Sequence, residues 1–489
     1  MEDAFSSPAE AALRREAGAP APLTPLPELG PAYELERVQA FVLEHEARRV
    51  ALQFPEELLG DSVAVARALE EATGAKMLVL GDTAYGSCCV DVLGAEQAEA
   101  DVLVHFGPAC LIPLSRSLPV TYVLGRRLVA LELCAEAFRG QHPDSAEPVV
   151  LLSEPACAHA LEALAALLRP QYQDILVSHP ALPATTPSWE HPPLERFGRF
   201  FPLGPGRQLE DYGAFYVGDN GDEVSPDLLQ LLLGWAPSRS FSSCLPDSGQ
   251  VRAEGPRAAR IRARSHYLVE RARDARVVGL LAAAPGGAGH REALAHLRKL
   301  VQAAGKRAYV LSLGRPSPAK LANFPEVDVF VLLACPLRAL DRPQSGASRG
   351  FFRPLLTPYE LEVACNPARG PLGLEPYLCH YSDLLPGSPF HVPIPPLDSE
   401  LWDAPDMSLI TGELRPPQTS SSPDVPDVPE TSALSQRSRL ELAERSPAAL
   451  FLGSRTWQGL DPQLGQTAPM RAVAGRRGVP IAYEDEPGS

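Results

Sequence analysis

The chain contains no run of 18 apolar residues, so a simple helical membrane span is not expected. Its first residues, Met1-Glu2-Asp3-Ala4-Phe5-Ser6-Ser7-Pro8, lack a basic stretch followed by an apolar one, and no secretory signal is expected. Positive charge is scarce: 44 Lys and Arg face 60 Asp and Glu, a formal net charge of −16. Broad affinity for nucleic acid needs clustered cations that neutralise phosphates, so no direct nucleic-acid partner is expected. No C-x-x-C pair occurs, which removes the usual zinc knuckle. G-x-G-x-x-G is absent too, which removes the dinucleotide fingerprint.

What is present is ample material for several packed cores, with 489 residues of which 45% are hydrophobic. Nine cysteines without an export signal imply a reducing, cytoplasmic setting, where thiols are structural, catalytic or metal-bound rather than disulfide-bonded. After an arm over residues 1–30, helical spacing runs from Tyr33 to Leu43. A strand at Arg49–Pro55 follows, then a helix at Asp61–Thr73 stopped by Gly74, and a buried strand at Lys76–Leu80. A helix near 90–98, a strand at Asp101–Phe106, a strand at Val120–Leu124 and a helix at 130–138 complete a first α/β unit.

Similar alternations start at Pro148 and at Arg276. The later one contains a helix from Arg291 to Ala304 ended by Gly305, and a strand at 327–333. The predicted fold is α/β: three similar domains, each with a small parallel sheet flanked by helices, arranged around a central cleft. Their bounds are 31–145, 146–262 and 263–403, followed by a disordered linker at 404–446 and a docked tail at 447–489. The arginines from Arg252 to Arg276 read as the solvated face of a helix.

Three of the predicted strands run into a loop carrying cysteine, at Cys88-Cys89, Cys110 and Cys335. The C-terminal ends of parallel strands are where ligands bind in α/β sheets. Taken alone, a buried cysteine is a small hydrophobe, and Cys134, Cys157 and Cys365 fit that reading within apolar helical patterns. Cys244 reads as a turn residue, and Cys379 has no second signal beside it. Three thiolates from separated loops suit an iron–sulfur cubane with one iron open or differently ligated, although four Cys is the commoner arrangement. Ala284-Pro285-Gly286-Gly287-Ala288-Gly289-His290 reads as a tight strand-to-helix turn rather than an anion cradle. His105 and Glu132 have no catalytic companion in sequence and read as structural.

These stretches resemble the diphthamide-biosynthesis family. Gly81-Asp82-Thr83-Ala84-Tyr85-Gly86-Ser87-Cys88-Cys89-Val90-Asp91 and Ala100–Leu111 are similar to its first domain. Arg264–Ala275 is similar to its interdomain helix, and Pro318–Pro336 and Arg353–Glu362 to the third domain of its second eukaryotic subunit. The resemblance covers roughly residues 30–400 and the Tyr483–Glu486 tail.

It implies a complex that uses S-adenosylmethionine and a 4Fe-4S cluster to add a 3-amino-3-carboxypropyl group to a histidine of elongation factor 2. Catalytic members take one cysteine from each of three domains, whereas the block from Asp174 to Asp219 here has none. The second-subunit pattern carries over to Cys89, Cys110 and Cys335 as cluster ligands, with Cys88 the rival of Cys89 because adjacent thiols do not easily reach one cubane. The implied partners are the catalytic first subunit, elongation factor 2 as substrate and a small electron-donor protein. The implied role is support for reduction of the partner's cluster; S-adenosylmethionine is implied for the complex, and its binding to this chain is left open. A scaffold that carries no cluster is the alternative.

Overall fold

The computed structural model describes residues 23–415 together with 478–479 and 482–483, apart from gaps at 82–85, 113, 115–117, 183–191, 220, 222–223, 236–239, 284–286, 315, 341–352, 374–375 and 404–405. Helices α1 (Leu26–Ala32) and α2 (Leu35–Glu44) lead into β1 (Arg49–Gln53). Helix α3 (Ser62–Thr73) turns its apolar residues Val65 and Leu69 inward and ends at Gly74, whose φ of 71° is left-handed and easily adopted only without a Cβ. Strand β2 (Lys76–Val79), helix α4 (Val92–Gln97), β3 (Val102–Phe106) and β4 (Val120–Val123) complete a parallel sheet in the order β2-β1-β3-β4. All five residues of β3 are buried, because an inner strand covered on both faces loses the alternation of a half-exposed one. Strand β2 departs from its expected burial. It is the sheet's edge, with Lys76 and Val79 exposed, since no described residue pairs along its outer side.

Helix α5 (Leu131–Gln141) leads to a second sheet of β5 (Val149–Ser153), helix α6 (Leu161–Leu168) and β6 (Ile175–Val177). A three-stranded antiparallel insert follows, with β7 (His179–Pro180), β8 (Leu194–Arg196) and β9 (Arg199–Phe201). The sheet resumes with β10 (Gly213–Val217), helix α7 (Pro226–Gly234), β11 (Phe241–Cys244) and β12 (Val251–Ala253). Helix α8 (Gly255–Asp274) connects to a third sheet, with β13 (Val277–Ala282), α9 (His290–Ala303), β14 (Arg307–Ser312), β15 (Val329–Leu333) and β16 (Leu355–Leu356).

The second sheet is ordered β6-β5-β10-β11-β12 and the third β14-β13-β15-β16, with only β12 antiparallel. In all three sheets the parallel strands therefore take one order: second, first, third, fourth. The internal repeat suggested by sequence pattern is a repeated topology. Each sheet has a switch point between its first and third strands, where crossovers leave in opposite directions and a crevice opens.

The second and third sheets share a core. Leu231 and Trp235 of the second unit and Leu268, Leu297 and Val363 of the third belong to one continuous buried cluster. Helix α8 is consequently not the solvated helix that its arginines suggest. Arg257 is buried and donates to the Gly221 carbonyl at 2.8 Å, and Arg262 donates to the Leu232 carbonyl at 3.0 Å. These long side chains cross between elements, which composition alone does not reveal.

Within the predicted linker, residues 406–415 are described. Asp406–Met407 and Leu414–Arg415 pair antiparallel, and Arg415 binds Glu270 at 2.7 Å and Asp274 at 2.8 Å on α8. The remainder of 404–446 lies outside the described residues, as do residues 1–22 of the predicted arm, whose end is the helix α1. The three sheets belong to one compact unit, Met1–Pro426. Of the other unit, Asp427–Ser489, which contains the predicted docked tail, the described part is the antiparallel pair of Gly478–Val479 with Ala482–Tyr483. No helix among the described residues is long and apolar enough to cross a membrane.

Candidate metal centre

The centre is built on the C-terminal ends of the first and third sheets. Gln53, the last residue of β1, is buried, and its side chain clamps the cysteine turn from both sides. Its amide donates to the Cys89 carbonyl at 2.8 Å and accepts from the Asp91 N–H at 2.9 Å. The turn closes through the Cys89 N–H to the Gly86 carbonyl at 3.0 Å. Asp91 then caps α4, accepting from the Gly94 N–H at 2.9 Å. After β3, the Cys110 N–H donates to the Cys88 carbonyl at 3.0 Å, which ties the two loops together. From the third sheet, Cys335 follows β15, and its sulfur accepts the Arg338 N–H at 3.4 Å in the short helix Pro336–Leu340.

The four sulfurs of Cys88, Cys89, Cys110 and Cys335 all lie within 4.8 Å of one another. Cys335 Sγ stands 3.4 Å from Cys89 and 3.6 Å from Cys88, while Cys89 is 3.9 Å from Cys88 and 4.0 Å from Cys110. Cys88 and Cys89, expected as rivals for one position, both stand near Cys335. The turn aims both at Cys335, because Cys88 is held by its carbonyl to Cys110 and Cys89 by its carbonyl to Gln53.

Hydrogens shared from Cys110, Cys335 and Cys89 hold Cys88 well below the ordinary thiol value. Bonding to Cys110, then Cys88 and Cys89, and then burial hold Cys335 well above it. One proton thus leaves the cluster readily, and the later ones leave only against negative charge already there. A bound cation removes that penalty. Among the described residues the set is sulfur alone, with no carboxylate or imidazole in it, which is the donor chemistry of iron–sulfur and other soft-metal sites.

A cleft of about 470 Å³, open solvent included, adjoins the sulfurs and is lined by Cys89, Cys110, Ile112, Tyr122 and Gly287 among others. His105 is fully buried beside the centre, with Nε2 3.1 Å from the Pro108 carbonyl and Nδ1 without a partner among the described residues. Burial, more than its neighbours, pushes its pKa down. Glu132 is exposed on α5.

The other cysteines stay in cores. Cys134 and Cys244 are buried with sulfurs 4.0 Å apart, and Cys157 lies 3.4 Å from Glu154. Cys244 ends strand β11 rather than sitting in a turn. Cys365 is buried at the end of the helix Pro358–Cys365, and Cys379 meets the Gln230 carbonyl at 3.8 Å. Sequence reasoning missed Gln53 as a clamp. The available signal was an amide at the end of an otherwise apolar strand, Val50-Ala51-Leu52-Gln53.

Comparison with known proteins places this geometry in a family. The family described as "Putative diphthamide synthesis protein" matches residues 54–372. The chain is 67% identical over 493 residues, covering 99% of each chain, to the 2-(3-amino-3-carboxypropyl)histidine synthase subunit 2 of Pongo abelii, and equally to that of Homo sapiens. Its identity to the protein of that name from Gallus gallus is 47% over 488 residues, again 99% of each. The fold is similar to the crystal structure of Dph2 from Pyrococcus horikoshii with a 4Fe-4S cluster, with a TM-score of 0.54 and 19% identity over 74% of this chain and 96% of that one. The chain belongs to the diphthamide synthesis family, with relatives named as subunit 2 of the histidine synthase.

Proposed function

We propose that this chain is the iron–sulfur subunit of a complex that transfers a 3-amino-3-carboxypropyl group from S-adenosylmethionine to a histidine of elongation factor 2. In this reading it supports reduction of the catalytic subunit's cluster, receiving electrons from a small donor protein. One observation carries the proposal: sulfurs separated by 246 residues in sequence, Cys89 and Cys335, stand 3.4 Å apart with Cys110 beside them. Cys89, Cys110 and Cys335 would hold a 4Fe-4S cluster, which supplies one-electron chemistry when bound.

The surrounding residues prepare that position. Gln53 fixes the Cys89 turn, and the Arg338 N–H stabilises negative charge on Cys335. Tyr122 and Ile112 keep the inner side of the cleft apolar. The thiols of the second sheet, Cys157 and Cys244, are packed into its core, and in this reading the catalytic step and S-adenosylmethionine are assigned to the partner subunit.

Anaerobic reconstitution tests the assignment. The full chain is expected to take up iron and acid-labile sulfide in equal amounts, and Cys335→Ser to lose most of both. Unchanged iron in that variant overturns the ligand assignment. Full activity of the complex with Cys89, Cys110 and Cys335 all replaced by serine supports a scaffold instead. A second reading comes from the short sulfur edges of 3.4–4.0 Å. A single tetrahedral ion with bonds of about 2.3 Å to thiolate has edges of about 3.8 Å. Metal bound without acid-labile sulfide would favour that reading.

A further inference from the structure

The glycine-rich turn before α9 has a use that neither a metal ligand nor an anion cradle explains. Gly287 pairs with Leu114 in an isolated antiparallel bridge, which joins a loop of the first sheet to one of the third. It also lines the cleft beside Cys89 and Cys110. A Cβ built on Gly287 would stand 2.2 Å from the Tyr381 hydroxyl oxygen, so the missing side chain is what makes room for that hydroxyl.

Tyr381 opens the short 3₁₀ turn Tyr381–Leu384 and is 1% exposed. Its ring packs edge-on against His290 at 6.0 Å and tilted against His380 at 4.9 Å. Its hydroxyl has no hydrogen-bond partner among the described residues. A buried O–H without an acceptor is uncommon in a native fold and asks for one. Gly287, against which the hydroxyl lies, lines the cleft together with Cys89 and Cys110, so an acceptor for that hydrogen would come from the sulfur side of the cleft. Burial, with negative charge at Cys335, Cys110 and Cys89, pushes the Tyr381 pKa up, so the oxygen keeps its proton and remains a donor.

We propose that the Tyr381 hydroxyl donates its hydrogen to a sulfur of the loaded centre, which makes that centre easier to reduce. The inference rests on reading the centre as iron–sulfur. Reduction adds negative charge, and a donor aimed at sulfur stabilises the charged state more than the neutral one. Tyr381 is a positioning and tuning residue, not a ligand.

The test is a redox titration of the anaerobically reconstituted full chain and of Tyr381→Phe, with iron and labile sulfide measured on both. The expected result is equal loading and a midpoint potential shifted to a more negative value in the Phe variant. In D₂O, the unaltered chain in its reduced state is expected to show a coupled exchangeable deuteron by electron–nuclear double resonance, absent in Tyr381→Phe. Should Tyr381→Phe load poorly, Gly287→Ala, which crowds the hydroxyl without removing it, is expected to give the same negative shift. An unchanged midpoint with full loading, or no exchangeable deuteron in the unaltered chain, overturns the proposal. Absence of iron from the unaltered chain overturns the reading of the centre, and this inference with it.

Discussion

The first and second sheets have the same parallel strand order and opposite chemistry at the same edge. Beyond β2 and β3, the first sheet presents Cys88, Cys89 and Cys110, and the third adds Cys335 beyond β15. At the corresponding edge of the second sheet stand Ser153, Arg199 and Asp227. The buried Arg199 donates to the Ser153 carbonyl and meets Asp227 at 2.8 Å. Tyr216 adds a hydrogen bond to the same carboxylate at 3.2 Å. The second sheet's thiols, Cys157 and Cys244, are packed into its core instead. Topology supplies the crevice and side chains decide its use: soft donors in one place, a closed ion pair in the other. The second edge is occupied by its own partners, and the four-thiol set draws on two sheets rather than three.

The contrast breaks most visibly at the ion pair. Arg199→Met leaves Asp227 without its cation in a largely buried place, and a loss of about 3–5 kcal/mol is expected from chemical denaturation. Iron content in the protein that remains folded should equal that of the unaltered chain; a matching loss of iron would join the second edge to the centre. On the first sheet, Gln53→Ala removes both hydrogen bonds that hold the cysteine turn. It is expected to cost about 1–3 kcal/mol, and iron uptake should become slower and less complete. Normal uptake would show that the turn holds itself. The smallest effect is expected at Cys244→Ala, roughly 1 kcal/mol from a small cavity, with unchanged iron. Any fall in iron there would move Cys244 out of the core and into the function.

The repeat was legible because its signals are local. Period-3.6 apolar spacing marks Ser62–Thr73, Gly74 and Gly305 mark helix ends, and the apolar runs at Val102–Phe106 and Val329–Leu333 mark inner strands. Strand β2 shows the limit. Its composition matches an inner strand, and only the order of pairing makes it an edge. The arginines of α8 show another, since whether Arg257 is solvated or buried depends on which carbonyls reach it from other elements. At the centre, cysteines after strands were visible one loop at a time. Tyr381 and Gln53 were not, because each acts on the centre from a distant stretch of chain.

By itself the sequence determined the α/β class, the positions of the elements and the placing of thiols at strand ends, because each follows from residue type over a window of a few positions. Tertiary structure decided that Cys88 joins Cys89, Cys110 and Cys335 within 4.8 Å, and that the second sheet closes its edge with an ion pair. Those outcomes depend on which loops the packed sheets bring together. Contacts across hundreds of residues are set by the shared cores, not by any local pattern.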